Sequence, residues 1–418
     1  MTNDKAAVAS ALWGTVIGLL VSAGSLLFSV LAVRFLPQTD AGLFVSFFAY
    51  ANLVGIFLSG FQISLARGIA LSDSAASRPQ YLVGRSAFEI LGLSVILGGG
   101  ILGTVRIWNS AIGLSFPVLI SMAILPLVMA MSSILAARFI ARGSFIVSAL
   151  ISLAAVNINL LAQAIVFMFY AVSLEKVLVN FTAINLFFYA GVLLLFRGGF
   201  PAESVFTSIS LRASATAFGY AFLVQFDLLL GGLFLSGPER DQYAIASMFA
   251  KSALFFAGTM YLALFTLVMR RVKSGQSFGL LELKSLAAAG LMGGSFSVLG
   301  AFFGPEVLTL VYGAGWAEAA ELVPLLAIAV FPFFLAGVLF QSSLVRPSWA
   351  QVMFLALLNF LTLGTALLVV DSAEQLAFVS FGAGLTVFAF FAWSRYRTRL
   401  SKVPRGAGFW LSRRKKSL

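Results

Sequence analysis

Twelve apolar stretches, each close to the length of a membrane span, dominate this chain of 418 residues. A helix needs about 20 mostly apolar residues to cross the hydrocarbon core of a bilayer, because each residue adds only about 1.5 Å. The stretches occupy residues 11–33, 41–65, 87–105, 116–137, 145–170, 177–196, 213–235, 243–269, 285–303, 322–340, 349–370 and 376–393. The sequence therefore predicts an all-α polytopic membrane protein with 12 transmembrane helices.

Composition excludes several other classes of protein. The chain is 61% hydrophobic and 10% charged, whereas soluble domains carry about 25% charged residues. It contains no Cys and no His, which removes disulfides, thiol chemistry, Cys/His metal sites and imidazole acid–base steps. The longest predicted outer connection, 304–321, is too short to carry a catalytic site. We therefore expect no cofactor, no metal and no enzymatic activity.

The cationic residues predict the orientation of the chain, since cytoplasmic loops are enriched in Lys and Arg. Of the 27 Lys and Arg, only four lie in one set of alternate loops, and Lys251 lies inside a span. Those four are Arg34, Arg106, Lys176 and Arg240. The other cations lie in the opposite loops and at the two ends of the chain. This distribution predicts that both termini are cytoplasmic, and an even number of spans is consistent with both lying on the same side.

The last segment, 394–418, is basic and contains no acidic residue. Cationic segments next to a cytoplasmic membrane surface bind anionic lipid, and we expect this tail to do so. Nucleic acid is not an expected partner, because the basic residues lie where the cytoplasmic bias already places them.

The chain reads as two related halves. The fourth and tenth spans, six helices apart, each carry two prolines: Pro117, Pro126, Pro324 and Pro332. Segments 35–44 (FLPQTDAGLF) and 234–243 (FLSGPERDQY) precede the second and eighth spans at an offset of 199 residues. Repeats of this kind are related by an axis along the membrane normal. The pattern predicts two parallel six-helix lobes, 1–200 and 201–393.

Two ionisable residues, Asp227 and Lys251, lie deep within predicted spans, where a charge is costly and marks a candidate site. Asp227 precedes the outer end of the seventh span by eight residues, and Lys251 follows the outer start of the eighth by eight. Both are thus about 12 Å below the outer surface and are expected to meet. They form either a permanent ion pair or a cavity lining, in which Lys251 binds an anion while Asp227 takes up a proton or cation. At the repeat offset, Lys251 corresponds to Asn52.

Two arginines, Arg34 and Arg67, lie at opposite ends of a predicted cavity, one after each of the first two spans. Cations at helix ends commonly extend toward the interface, and these two are also placed to receive an anionic headgroup. Uncharged polar residues at depth are expected to form interhelical hydrogen bonds. They are Gln62, Asn157, Asn159, Gln163, Asn180, Asn185, Gln225 and Asn359. A stripe of small residues along the first span predicts close helix packing.

Two segments carry a resemblance to a known family. Segment 34–44 (RFLPQTDAGLF) resembles the R-x-L-G-P-x-x-Y-G-L-Y turn after the first helix of Wzx-type polysaccharide flippases, and segment 311–320 (VYGAGWAEAA) resembles their L-F-G-x-x-Y-x-x-A segment. Arg67 and Asp227 also fall where that family has similar features. The chain departs from the pattern at Pro37, which replaces a Gly, at the following Gln, and at Ala41, which replaces an aromatic residue.

The resemblance implies a member of the multidrug/oligosaccharidyl-lipid/polysaccharide (MOP) exporter superfamily, with two six-helix bundles around a central cavity. It implies export of undecaprenyl-diphosphate-linked oligosaccharide across a bacterial inner membrane, alongside other polysaccharide-assembly membrane proteins. The proposed substrate-binding residues are Arg34, Asn52, Arg67 and Lys251, with Asp227 as the ion-coupling or ion-pair residue.

Other transporter classes remain as alternatives. A MATE-like cation-coupled drug antiporter has the same architecture. Many such antiporters use an acidic residue in the first helix, however, and residues 11–33 contain no charge at all. A major-facilitator carrier would also have six plus six helices. Its G-x-x-x-D-R-x-G-R-R-like run is missing from the loop 66–86.

Overall fold

The computed structural model describes residues 2–72, 85–103, 115–141, 144–170, 172–196, 208–235, 237–273, 277–345 and 347–400. Within these residues the chain is entirely helical, without a strand. The helices are α1 (Thr2–Phe35), α2 (Gln38–Ser72), α3 (Arg85–Gly103), α4 (Phe116–Ala141), α5 (Phe145–Phe169), α6 (Leu174–Leu195), α7 (Ser208–Phe234), α8 (Gly237–Lys273), α9 (Gly279–Tyr312), α10 (Ala317–Ser343), α11 (Trp349–Val369) and α12 (Ala373–Leu400).

Each predicted span coincides with one of these helices, so the expectation of 12 helices is confirmed. In the described part of the chain, 10 helices are long and apolar enough to cross a membrane, and Ala87–Gly103 in α3 is a shorter apolar helix. Most of the predicted outer connection, 304–321, is helical. Helix α9 continues through Pro305 to Tyr312, and a 3-10 turn at Ala314–Trp316 leads into α10. Helix α9 thus extends beyond the predicted ninth span, 285–303, at its carboxyl end.

The packing of the first six helices is repeated in the second six. Helix α4 packs against α2, α3 and α6, and α10 packs in the same way against α8, α9 and α12. Likewise α1 contacts α5 as α7 contacts α11. This repetition confirms the two six-helix lobes, whereas their limits at 1–200 and 201–393 stay predictions. Helix α12 runs to Leu400, and the rest of the predicted tail, 401–418, lies outside the described residues.

The lobes meet along α2 with α7, α1 with α8, and α2 with α8. The first two pairs are equivalent under the repeat. Ser46 donates to the carbonyl of Leu228 at 3.2 Å, and a Cβ on Gly60 would lie 2.4 Å from Cα of Ser214. Since α2 and α7 are antiparallel, these contacts lie near opposite ends of both helices. In this structure the lobes are therefore closed along α2 and α7.

The stripe of small residues in α1 packs closely, as predicted. A Cβ on Gly18 would lie 2.8 Å from the side chain of Thr259 in α8. Ser22 donates to the carbonyl of Phe255, also in α8, at 3.2 Å. Small side chains let two backbones approach where lipid supplies no hydrophobic drive for association. The stripe thus serves contact between the lobes.

The predicted interhelical hydrogen bonds form at two of the polar positions. Gln163 of α5 donates to the carbonyl of Val177 in α6 at 3.0 Å, and Asn359 of α11 donates to that of Gly219 in α7 at 3.1 Å. The expectation is wrong for three others, which donate to the carbonyl four residues earlier in their own helix: Asn157, Asn159 and Asn185. That carbonyl retains a free lone pair and lies within reach of a short amide side chain.

Candidate functional site

A buried polar cluster joins α7 to α8 in the second lobe. Helix α7 supplies Asp227, and α8 supplies Tyr243, Ser247 and Lys251. The three residues of α8 follow one another at spacings of four, which places them on the same face of the helix. A short connection joins α7 to α8, so that this face lies against Asp227.

Asp227 accepts hydrogen bonds at both carboxylate oxygens. Tyr243 and Ser247 donate their hydroxyls to Oδ2 at 2.9 and 3.1 Å. The ammonium of Lys251 donates to Oδ1, which also accepts from the backbone N–H of Leu228 at 2.9 Å. The carboxylate is therefore surrounded by four donors, one of them charged.

Burial of this cluster is nearly complete. Asp227 is 0% exposed and Lys251 is 2% exposed. An isolated charge at this depth would be strongly unfavourable, whereas a paired and hydrogen-bonded one is tolerated. The predicted meeting of Asp227 with Lys251 is confirmed, and the burial favours the ion-pair alternative. Direct contact between Lys251 and a substrate stays a prediction.

The equivalent positions of the first lobe hold aromatic side chains. At the repeat offset of 199 residues, Asp227, Tyr243 and Ser247 correspond to Phe28, Phe44 and Phe48. These three rings pack together, with centroids 4.8 to 5.9 Å apart. Asn52, the counterpart of Lys251, is half-buried on α2. The ionic cluster is thus a property of the second lobe alone.

Two further buried carboxylates have cationic partners. Asp241, in the first turn of α8, pairs with Arg240 at 2.9 Å. Glu282 of α9 pairs with Arg395 of α12 at 3.0 Å, and Ser342 of α10 bridges them, donating to Glu282 at 2.6 Å and accepting from Arg395 at 2.7 Å. Sequence reasoning missed this network, because Arg395 was assigned to the basic tail expected to bind anionic lipid.

The two segments that carry the family resemblance touch one another at the predicted outer ends of the lobes. Arg34, at the end of α1, donates to the carbonyl of Leu310 in the last turn of α9 at 2.5 Å. Gln38, at the start of α2, donates to the carbonyl of Gly315 at 3.3 Å. Close to them, Gly42 of α2 approaches Asp241 of α8. We call the two hydrogen bonds and this close approach the outer contact. The side chain of Arg67 lies outside the described residues.

A Cβ on Gly42 would lie 2.0 Å from the carboxylate of Asp241. The absence of a side chain at Gly42 is therefore what lets α2 approach the start of α8. Within α2, Gln38, Gly42 and Ser46 each contact the second lobe. Their spacing of four residues places them on one face of the helix.

A small pocket, about 10 Å³ in volume, lies in the first lobe between α4, α5 and α6. Hydroxyl groups line part of it, those of Ser132, Ser148, Ser152 and Tyr189. The pocket lies within a single lobe, away from the α2–α7 contact, and does not correspond to the predicted cavity between the lobes.

Comparison with known proteins identifies the fold. No family model and no curated protein sequence matches the chain. Solved structures do: "MATE in complex with MaD5" aligns with a TM-score of 0.65 at 13% identity, covering 96% of this chain and 97% of that one. A mutant of the Vibrio cholerae MATE transporter VcmN aligns with a TM-score of 0.64 at 14% identity, covering 97% and 99%.

A third structure is an outward-facing multidrug resistance MATE family transporter of the MOP superfamily, with a TM-score of 0.62 at 12% identity, covering 94% of this chain and 96% of that one. The chain therefore has a MATE-like fold with two lobes. The two six-helix bundles expected from the resemblance are confirmed, and the structural similarity extends over nearly the whole chain.

Proposed function

We propose that this protein exports undecaprenyl-diphosphate-linked oligosaccharide from the cytoplasmic to the periplasmic leaflet of the bacterial inner membrane, by alternating access of its two lobes. The MATE-like fold supports the transport mode, because two lobes that meet along α1, α2, α7 and α8 can rock against each other around a central site. The resemblance of segments 34–44 and 311–320 to polysaccharide flippases supports the substrate class.

The observation that carries this proposal is the pairing of buried acids. Among the described residues, Asp227, Asp241 and Glu282 are the buried carboxylates, and each forms a salt bridge with Lys or Arg. A cavity for organic cations needs negative charge that is free to meet its cargo. These carboxylates are neutralised already, which supports a neutral or anionic cargo such as a glycan on a diphosphate.

The energetics of the membrane support the same direction of transport. Moving one charge across a potential of 100 mV is worth about 2.3 kcal/mol. A diphosphate with two negative charges therefore gains roughly 4–5 kcal/mol per 100 mV when it leaves an inside-negative cell. The protein then has only to shield the sugars and the diphosphate from hydrocarbon.

In this proposal the two arginines act at the two mouths of the cavity. Arg67 receives the diphosphate on the cytoplasmic side, and Asn52 contacts the cargo from α2. Arg34 holds the outer contact closed through the carbonyl of Leu310. When the lobes separate on the outer side, its guanidinium is released and becomes available to the diphosphate. Other polysaccharide-assembly proteins are the proposed partners.

The MATE-like antiporter is the second candidate, because the structural neighbours are named as MATE transporters. A depletion strain separates the two functions. We expect loss of the protein to trap a polyprenyl-diphosphate oligosaccharide in the inner leaflet, without a change in sensitivity to cationic drugs, and expect the wild-type gene to reverse this. A broad rise in drug sensitivity with intact glycan export would reject the proposal in favour of the antiporter.

A further inference from the structure

The cluster around Asp227 has the composition of a binding site for a monovalent cation. Its oxygens come from one carboxylate and from the hydroxyls of Tyr243 and Ser247. Carboxylate and hydroxyl oxygens are the ligands that hard cations prefer. The carboxylate is fully buried, and a buried carboxylate requires a positive partner.

That positive partner is part of the chain itself. The ammonium of Lys251 donates to Oδ1 of Asp227, and both side chains are enclosed by the helices around them. An ammonium carries the same single charge as an alkali cation. Lys251 therefore occupies the position beside the carboxylate that a free cation would otherwise take.

The other lobe has no corresponding place for a cation. The rings of Phe28, Phe44 and Phe48 fill the equivalent positions. In the described part of the chain, no group of three or more acidic residues could hold a metal ion. Among the described residues at this depth, Asp227 is therefore the candidate carboxylate, and both of its oxygens accept hydrogen bonds.

We propose that Lys251 is a tethered cation that permanently fills a monovalent-cation site built around Asp227. The wild-type protein then binds no free alkali cation at Asp227, and removal of the ammonium opens the site to one. One consequence rests on the proposed function: export would not be coupled to a cation gradient through Asp227. The binding property itself holds whatever the cargo is.

Thermal unfolding of the purified full-length protein in lipid nanodiscs tests the inference, with sodium chloride compared against choline chloride at equal ionic strength. Both salts are compared in the same alkaline buffer. We expect the same unfolding midpoint in both salts for the wild type. For Lys251→Ala we expect a saturable rise of several degrees with sodium, because a ligand that binds only the folded state stabilises it.

Two further variants make the result specific. Asp227→Asn combined with Lys251→Ala should lose the sodium response, since the carboxylate is gone. Lys284→Ala, which removes an exposed lysine on α9, should behave as the wild type. Lys251→Met retains more of the side-chain volume and serves if the alanine variant folds poorly.

Either of two results would overturn the inference. One is a saturable sodium response of the wild type that Asp227→Asn abolishes, because the site would then accept a free cation beside Lys251. The other is the lack of a sodium response in both Lys251→Ala and Lys251→Met. If these variants fold poorly, the yield of folded protein is measured instead, and a yield that sodium does not raise counts as the same negative result. The assay contains no glycan, so its failure is separate from failure of the proposed export function.

Discussion

At the scale of single residues, the second lobe stabilises a buried carboxylate with several donors at once. Taking two charges out of water is costly, and their attraction compensates only if the remaining hydrogen-bonding capacity is satisfied. Tyr243 and Ser247 meet that condition at Oδ2 of Asp227, while Lys251 and the N–H of Leu228 meet it at Oδ1. The hydroxyls are therefore part of the stability of the ion pair.

Removing one hydroxyl should measurably destabilise the protein. Tyr243→Phe deletes a donor to a charged acceptor, and such bonds contribute about 1.5–3 kcal/mol. We expect a lower midpoint of thermal unfolding in detergent or nanodiscs. Tyr170→Phe is the matched control, because Tyr170 is 62% exposed and should tolerate the change. An unchanged midpoint for Tyr243→Phe would show that its bond to Asp227 contributes nothing.

Exchange of the two charges distinguishes an ion pair from a substrate contact. In sodium-free buffer, Lys251→Ala should destabilise the protein by about 3–5 kcal/mol, the range for breaking buried ion pairs. The reversed pair, Asp227→Lys with Lys251→Asp, should accumulate to higher levels than either single variant and should export cargo. Export per folded molecule is the measurement. A well-folded reversed pair without export would instead assign Lys251 to the substrate.

At the scale of helices, α2 and α7 form the main contact between the lobes, and glycine sets their separation. The Cβ that any other residue adds at Gly60 would lie 2.4 Å from both N and Cα of Ser214. Backbone atoms cannot rotate away as a side chain can, so the two helices must move apart. The ring of Phe57 against Phe218, with centroids 5.9 Å apart, continues the contact on the same stretch.

Gly60→Ala should therefore weaken the contact, by about 1–3 kcal/mol on the scale of overpacked interiors. Gly55→Ala on the same helix is the control, because its Cβ would meet only the sulfur of Met129, at 3.7 Å. There the higher helix propensity of Ala should leave stability unchanged or slightly raised. Thermal unfolding of both variants checks this, and equal midpoints would contradict the close approach at Gly60.

At the scale of the whole molecule, the outer contact joins the two lobes at one end, and alternating access requires it to open. The chain has no native Cys, so engineered pairs react without background. Gly42→Cys with Asp241→Cys brings two thiols together at this contact, since a Cβ at position 42 would lie 3.2 Å from Cα of Asp241. The two helices must part slightly to reach disulfide geometry.

Oxidation of this double variant should abolish export, and a reductant should restore it. The two single-cysteine variants control for loss of the Asp241 carboxylate and for the side chain at position 42. Export is measured in the same depletion strain, with the cross-linked fraction read from gels. Full export from completely cross-linked protein would mean that the outer contact need not open.

Orientation in the membrane follows from the distribution of cations and is a separate prediction. Reporter fusions after Arg78, Arg271 and Leu418 should report a cytoplasmic location. Fusions after Ala314 and Asp371 should report a periplasmic one. A periplasmic carboxyl terminus would contradict the arrangement of 12 spans with both ends inside the cell.

Much of the fold follows from the sequence because hydrocarbon is a restrictive solvent. Lipid requires each span to satisfy its own backbone hydrogen bonds and to be long enough to cross, so the apolar stretches mark the helices. It also makes isolated charges costly, which is why Asp227 and Lys251 could be paired by depth alone. The roles of Tyr243 and Ser247 were missed, although their spacing of four residues before Lys251 was a usable signal.

Only the tertiary structure decided which faces of these helices meet. A helix that is apolar all round carries little periodic signal, since lipid and protein interior both accept the same side chains. Whether a small residue such as Gly60 lies at a helix contact or faces lipid depends on residues far away in the sequence. The same holds for Arg34, whose partner in α9 is 276 residues distant. The sequence alone determined the number of helices and the charge pair, because hydrocarbon imposes both locally, whereas the closed lobes and the outer contact depend on how whole helices pack.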